Sequence, residues 1–175
     1  MNNYEIRLAS LKDINQIMEI VKDAVLLLKS NNVNQWQNNY PNIEVITNDI
    51  KNRSMYVVSS EDYLVGFANL SISADPSYQE IYEGHWLTNN EYLVVHRIAV
   101  RNSYLNKGIA KLLFDKAESL AISNNVNSIR IDTHKDNVPM NKLLIKLGYV
   151  KCGIIYLINY LDSDKVRLAY EKVLK

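Results

Sequence analysis

The chain has 175 residues, of which 47% are hydrophobic and 22% are charged, and its formal net charge is +1. These values are typical of a globular protein with a sizeable core, so we expect residues 1–175 to form a single domain. So small a net charge gives no strong field for a nucleic acid or an anionic membrane surface. The lone Cys152 excludes an internal disulfide and a cysteine-based zinc cluster. The longest apolar run, residues 24–28, is too short to span a bilayer. The N-terminal residues also lack the apolar core of a signal peptide, so we expect a cytoplasmic protein.

Strand and helix patterns alternate along the chain. Period-2 alternation and β-branched or aromatic residues indicate strands, whereas apolar residues three and four apart indicate helices. In chain order the predicted elements are a strand over 4–8, helices over 10–30 and 43–51, strands over 55–59, 63–73 and 92–100, a helix over 107–123, a strand over 128–133, a helix over 137–147, and strands over 149–156 and 166–173. Hairpins come first and crossover connections later, which predicts an α/β fold with a mixed sheet.

Two irregular segments, 31–42 and 81–90, are polar yet carry large aromatic side chains. Such side chains either anchor a loop onto the body of the protein or form the wall of a ligand site. The second segment could be an insertion that lies over a site. The sequence leaves both interpretations of the aromatic residues open.

The stretch from Val94 to Phe114 combines an apolar strand, a polar turn and an amphipathic helix. At the start of such a helix the first backbone N–H groups lack partners, and the helix dipole adds partial positive charge. Gly108 allows the chain to turn and a ligand to approach closely. The turn therefore predicts a site for a phosphate or pyrophosphate, with an ordinary turn as the alternative. The spacing matches neither a dinucleotide fingerprint nor a P-loop.

Two motifs and the element order resemble the GNAT (GCN5-related N-acetyltransferase) superfamily. The family's pyrophosphate motif, R/Q-x-x-G-x-G/A, corresponds here to Leu105, Gly108 and Ala110, and its later K-L-G-F/Y stretch to DTHKDNVPMNKLLIKLGY at 132–149. The residues Gln35, Trp36, Tyr40 and Pro41 also resemble an uncharacterised bacterial subgroup. The resemblance implies a mixed, mostly antiparallel central sheet of about seven strands flanked by about four helices, splayed between the fourth and fifth strands.

The resemblance implies acetyl-CoA as co-substrate and direct transfer of its acetyl group to a primary amine of a small molecule or a peptide. Pantetheine would lie between the splayed strands. The implied CoA-binding residues are Ile98, Ala99, Val100, Leu105, Asn106, Lys107, Gly108, Ile109, Ala110, Lys111, Thr133, Asn137 and Met140. Leu105 departs from the family's Arg or Gln. Lys107 and Lys111 either supply charge in its place or are simply solvated.

The chemistry needs a base, because an alkyl amine with a pKa of about 10.4 is protonated at neutral pH. His96, on the central strand, is the predicted base, the alternative being a core histidine bonded to a backbone carbonyl. By alternation it should share a face with Ile98, with Arg97 on the other. The tyrosine that many members use as an acid is replaced by Leu144. Tyr156 and Tyr104 remain candidate acids, or the thiolate leaves without one.

Other polar residues have expected roles of lower specificity. Asn137 is expected to cap its helix and to contact the CoA arm. Asp132 is expected to be a structural residue that could pair with Arg97 or Arg130, and His134 is expected to be a loop residue. Candidate contacts for the acceptor are Trp36, Glu83, His85 and Trp86.

Other functions stay open at this point. One is a non-catalytic acyl-CoA-binding protein of the same fold that regulates or partners another protein, and a weaker one is a nucleotide phosphate site. The three histidines are widely spaced, so we expect no catalytic metal. We also expect no nucleic-acid or membrane partner. The final strand could pair with a second copy to form a homodimer.

Overall fold

A computed structural model of the protein describes residues 4–158 and 164–175. Its elements are β1 (Tyr4–Leu8), α1 (Ile14–Ser30), α2 (Ile43–Lys51), β2 (Met55–Ser60), β3 (Tyr63–Ser71), β4 (Leu93–Val100), α3 (Ile109–Ser123), β5 (Ser128–Thr133), α4 (Val138–Lys146), β6 (Val150–Tyr156) and β7 (Val166–Val173). Short 3-10 turns lie at Leu11–Asp13, Pro76–Tyr78 and Asn102–Tyr104. The predicted order of elements is confirmed. No helix within the described ranges is both long and apolar enough to cross a membrane.

The strands form one seven-stranded sheet in the order β1-β2-β3-β4-β5-β7-β6. Neighbouring strands are antiparallel except β4 and β5, which run parallel and pair only at Leu93 with Ile129 and at Val94 with Arg130. Beyond these positions β4 and β5 separate and open a V-shaped gap in the sheet. The predicted mixed sheet and its splay are therefore confirmed.

Each face of the sheet is covered by helices that bury an apolar stripe. On one face α3 buries Leu113, Phe114 and Ala117 in a cluster that continues along β3, β4 and β5. On the other face α1 buries Ile17 and Ile20 against β2 and β3, together with α2. Complete burial of one such large side chain contributes about 1.5–3 kcal/mol. The two clusters hold the helices against the two faces of the sheet.

The last strand, β7, lies inside the sheet rather than at its edge. It pairs with β5 on one side and β6 on the other. Both of its hydrogen-bonding edges are thus occupied, and the expectation that it would pair with a second copy of the chain is wrong. The N-terminal strand β1 and the strand β6 form the two edges of the sheet.

The aromatic segment 81–90 covers the edge of β6. Tyr82 exchanges two backbone hydrogen bonds with Ile154, of 2.9 and 2.8 Å, and His85 N donates to Cys152 O at 3.0 Å. A Cβ atom at Gly84 would lie 1.9 Å from Cys152 O, so only glycine permits this approach. The segment protects a sheet edge, and none of its residues lines the cavity between β4 and β5.

Candidate active site

A cavity of about 780 Å³ opens at the gap between β4 and β5. One of its walls consists of α1 and the loop after it, with Leu27, Leu28 and Trp36. A second wall is formed by the turn before α3, and a third by α4. The cavity therefore connects the two faces of the sheet through the gap.

The turn before α3 has the geometry of an anion site. Asn106 and Gly108 both have positive φ, 60° and 83°, and a Cβ atom at Gly108 would meet nothing within 4 Å. Within the described ranges, the amide N–H groups of residues 106–111 donate no hydrogen bond. They stand at the N-terminus of the 15-residue helix α3, where the helix dipole favours negative charge.

The two lysines beside this turn are engaged by their neighbours. Lys107 Nζ lies 4.5 Å from the centre of the Tyr104 ring. Lys111 Nζ lies 2.6 Å from a carboxylate oxygen of Asp115, one helical turn further on. Leu105 is 39% exposed and contacts the cavity. Positive potential at the turn thus comes from its unpaired amides, with the lysines at its rim.

A β-bulge in β4 determines which way the catalytic candidates point. Asn69 pairs with His96 and Phe67 with Ala99, so the two residues between them on β4, Arg97 and Ile98, oppose a single residue on β3. Arg97 has the unusual φ of 47°.

The bulge reverses the alternation after His96. Ile98 packs into the α3-side cluster, whereas the Arg97 side chain contacts Asp49 on α2. The expected alternation, with Ile98 beside His96 and Arg97 opposite, is therefore wrong. The side chains of His96 and Arg97 therefore both lie on the α2 side of the sheet.

His96 forms a buried pair with Asp75. Its Nε2 lies 3.0 Å from Asp75 Oδ2, and the two side chains are 14% and 7% exposed. Burial alone would raise the pKa of Asp75, but the hydrogen bond and charge of His96, with the bond from Ser77 N, hold it well below its usual range. The Tyr78 ring lies 5.9 Å from the imidazole. The imidazole is thus held at the cavity by a carboxylate and an aromatic ring.

Arg97 is fixed behind His96 by two partners. Its guanidinium donates to both oxygens of Asp49, at 2.6 and 2.9 Å, and to Tyr40 Oη at 2.9 Å. Such a bidentate pair is geometrically specific. It connects β4 to α2 and to the first loop, which keeps Tyr40 in the cavity wall.

Asp132 lies across the gap from His96 and contacts the cavity. Its Oδ1 accepts a hydrogen bond of 2.7 Å from Tyr78 Oη, and its Oδ2 lies 3.8 Å from Arg167 Nε. The expected pairing with Arg97 or Arg130 is wrong, because Arg130 pairs instead with Glu171 at 3.3 Å.

His134 and Asn137 stabilise the loop between β5 and α4. His134 is buried, with Nε2 2.8 Å from Asp164 and Nδ1 accepting from Asp136 N. Asn137 caps α4 by accepting from Met140 N, as predicted, and its Nδ2 donates to Gln35 Oε1 at 3.3 Å. The α4 cap is therefore joined to the first loop.

The structure brings together most, but not all, of the predicted site residues. The cavity is lined by His96, Ile98, Ala99, Val100, Leu105, Asn106, Gly108, Ile109, Ala110, Lys111, Thr133, Asn137, Met140 and Trp36, and by the alternative acid Tyr104. Lys107, Tyr156, Glu83, His85 and Trp86 do not line it.

The aromatic residues outside the cavity have other partners. Tyr156 is 47% exposed and stacks edge-on with Tyr82 at 5.2 Å. Trp86 donates to Tyr78 O and lies 4.2 Å from the Arg130 guanidinium. Glu83 and His85 are exposed.

Sequence reasoning did not select several of the lining residues. Arg167 comes from β7, and Leu27 and Leu28 come from α1. Their patterns indicated only a strand and an amphipathic helix. An arginine within a β-branched strand was the one available signal for Arg167, since a buried cation needs a partner.

An open sheet with a gap between parallel strands, and an amide-rich turn leading into that gap, define an acyl-CoA-type transferase. The acetyltransferase (GNAT) family model matches residues 22–149. The crystal structure of a GNAT-family acetyltransferase from Streptococcus agalactiae 2603 superposes with a TM-score of 0.87 at 35% identity, over 98% of this chain and 96% of that one. A streptothricin acetyltransferase from Escherichia coli is 33% identical over 67 residues, which is 38% of each chain.

A more distant structure shares the fold. The paia N-acetyltransferase from Thermoplasma acidophilum, in complex with coenzyme A, has a TM-score of 0.70 at 18% identity, over 98% of this chain and 99% of that one. The chain belongs to the GNAT family of acetyltransferases, as its two motifs predicted.

Proposed function

We propose that the protein transfers the acetyl group of acetyl-CoA directly to a primary amine, of a small molecule or a peptide. One observation carries this proposal: a single cavity reaches from the unpaired amides of the turn 106–111 to the His96–Asp75 pair. An anion site and a base thus face the same space. Direct transfer requires that arrangement, because both substrates must be present together.

The described residues fit coenzyme A. The amides of 106–111 are free to bind its pyrophosphate, and the space beside Gly108 is open. Ile98, Ala99 and Val100 on one side of the gap and Thr133 on the other would hold the pantetheine arm. Acetyl-CoA supplies the activated acyl group when it is bound.

His96 is the proposed base. Its Nε2 faces the Asp75 carboxylate, which accepts a hydrogen bond but cannot donate one when ionised. The hydrogen of the neutral imidazole is therefore assigned to Nε2, and Nδ1 is left to accept a proton from the amine. Asp75 then stabilises the imidazolium that forms, as a carboxylate does in other acid–base pairs.

The proton donor for the leaving thiolate is less constrained by the geometry. Tyr104 lines the cavity and Tyr156 does not, which favours Tyr104. A thiol with a pKa of about 8.5 is a good leaving group, so departure without a donor also agrees with the chemistry.

A thiol-release assay with acetyl-CoA and a panel of primary amines tests the proposal. We expect His96→Ala to lower kcat/KM about 100- to 10,000-fold, the usual worth of a general base. Its affinity for CoA, measured by calorimetry, should be unchanged. His85→Ala is the matched control, because His85 is exposed and lies outside the cavity.

Two results would count against this function. Turnover by His96→Ala within threefold of the wild-type rate would exclude His96 as the base. Tight CoA binding without turnover of any amine would favour a non-catalytic acyl-CoA-binding protein of the same fold.

A further inference from the structure

The cavity has an unequal distribution of charge. Asp132 is the only carboxylate among the described residues that line it, beside four permanent cations, Arg97, Lys111, Lys146 and Arg167. Two of these cations are paired with acids outside the lining, Arg97 with Asp49 and Lys111 with Asp115. Asp132 is therefore the one anionic group that a ligand in the described cavity can meet.

The position of Asp132 places it at the mouth of the gap. Asp132 lies two residues beyond Arg130 on β5, and His96 lies two residues beyond Val94 on β4, so the two residues stand on the two sides of the gap just past the last paired positions. Tyr78 joins the two: its hydroxyl donates to Asp132 and its ring packs beside the imidazole. A group bound beside His96 in the cavity is thus also near the carboxylate of Asp132.

One oxygen of Asp132 has unused hydrogen-bonding capacity. Oδ1 accepts from Tyr78, but the 3.8 Å from Oδ2 to Arg167 Nε is beyond hydrogen-bond distance. Within residues 4–158 and 164–175, Oδ2 accepts no hydrogen bond, although the side chain is only 11% exposed. Each carboxylate oxygen has about two acceptor sites, so Oδ2 can accept a hydrogen bond from a ligand in the cavity.

An acceptor amine would supply a hydrogen-bond donor for Oδ2. An alkyl amine arrives as an ammonium with three N–H donors, because its pKa is about 10.4 in water. One N–H must give its proton to the base, and the others need acceptors in the low dielectric of the cavity. Oδ2 of Asp132 is the acceptor that the described residues leave available.

We propose that Asp132 selects cationic acceptors, its Oδ2 accepting a hydrogen bond from the ammonium group while His96 receives the proton. This inference rests on the proposed function. It names a substrate class, alkyl amines that are charged at neutral pH, in preference to aryl amines that are neutral there. No covalent change occurs at Asp132, which acts as a specificity-determining residue.

The charge balance of the site agrees with this role. Burial raises the pKa of Asp132, and the charges of His96 and Arg167 and the bond from Tyr78 counteract the rise only in part. A bound ammonium would stabilise the carboxylate further. A neutral aryl amine offers no such compensation.

The experiment compares Asp132→Asn with the wild-type protein on one alkyl amine and one aryl amine. Asparagine keeps the shape and the acceptor for Tyr78 but removes the charge. We expect KM for the alkyl amine to rise about 10- to 100-fold, the worth of one charge-assisted hydrogen bond, and KM for the aryl amine to stay within threefold. Asp136→Asn is the control, because Asp136 is 56% exposed and outside the cavity.

A second measurement separates this inference from the proposed function. Calorimetry of the alkyl ammonium with each protein, without acetyl-CoA, reports binding alone. Weaker binding by Asp132→Asn than by Asp136→Asn supports the inference even where no amine turns over, a result that would refute the proposed function by itself. Equal binding by the two variants, or an equal loss of kcat/KM with both amines, overturns the inference.

Discussion

Replacement of Gly108 by tryptophan isolates the contribution of the turn to coenzyme A binding. The turn presents unpaired amides at 106–111, and the space beside Gly108 is empty. An indole attached there would occupy the region that the amides face. We therefore expect the variant to fold and to lose its affinity for CoA.

The structure sets the size of both effects. Gly108 has φ of 83°, so an L-residue there costs roughly 1–2 kcal/mol of stability. If the indole prevents two amides from donating to the pyrophosphate, about 3–6 kcal/mol of charge-assisted hydrogen bonding is lost. At 1.4 kcal/mol for each factor of ten, the affinity falls roughly 100- to 10,000-fold.

Gly148→Trp is the matched control. Gly148 has φ of 86°, nearly the same backbone strain, and it is exposed at the end of α4, where an added Cβ would meet only the Lys172 side chain, at 3.8 Å. Urea unfolding should show similar losses of stability in both variants. Calorimetry with CoA should show a loss of affinity only in Gly108→Trp. A Gly108→Trp protein that is folded and binds CoA within threefold of wild type would show that the turn is not the binding site.

Two further predictions concern charged groups. Asp75→Asn keeps an acceptor for His96 but removes the charge, so kcat in the thiol-release assay should fall about 10- to 100-fold while CoA affinity is retained; an unchanged kcat would exclude the pair from catalysis. The hydrogen bonds from Arg7 lower the pKa of Asp13 to about 2. This shift is equivalent to at most about 2.5 kcal/mol of stability. Because the Arg7 side chain is 40% exposed and solvent screens the pair, we expect a contribution of about 1–2 kcal/mol. A lowered folded-state pKa means that this stabilisation is complete above about pH 4 and is lost as the pH falls towards 2. Urea unfolding should therefore show Asp13→Asn to be less stable than Asp62→Asn, an exposed control, at pH 7, with most of that difference lost near pH 2; a difference of the same size at pH 2 would contradict the reasoning.

Local patterns predicted the elements well because they record burial directly. The strand over 4–8, the helix over 43–51 and the strands over 128–133 and 166–173 begin and end where alternation or helical spacing indicated. The glycine turn before α3 was equally visible, since its residues are contiguous and glycine is needed for a positive φ.

The composition of the site was harder to predict, because it depends on long-range geometry. The bulge at Arg97 requires a positive φ at a residue type that does not favour one, so no sequence pattern indicated it. The side chains beyond the bulge were therefore assigned to the wrong faces of the sheet. Asp75 lies 21 residues before His96 in the sequence. It caps the 3-10 turn at Pro76–Tyr78, and the fold of this segment brings its side chain to His96. The aromatic residues of 81–90 were selected by their chemistry alone, which does not distinguish a ligand wall from a sheet edge.

The position of β7 constrains the order in which the site can be completed during synthesis. Of the seven strands β7 is made last, yet it stands between β5 and β6, and it carries Arg167 into the cavity. A nascent chain that has been made only as far as β6 can form the hairpins and the anion-binding turn, but β6 has no neighbouring strand on which to pair. Non-local closure of this kind is slow. The cavity is therefore complete only when β7, with Arg167, has inserted between β5 and β6.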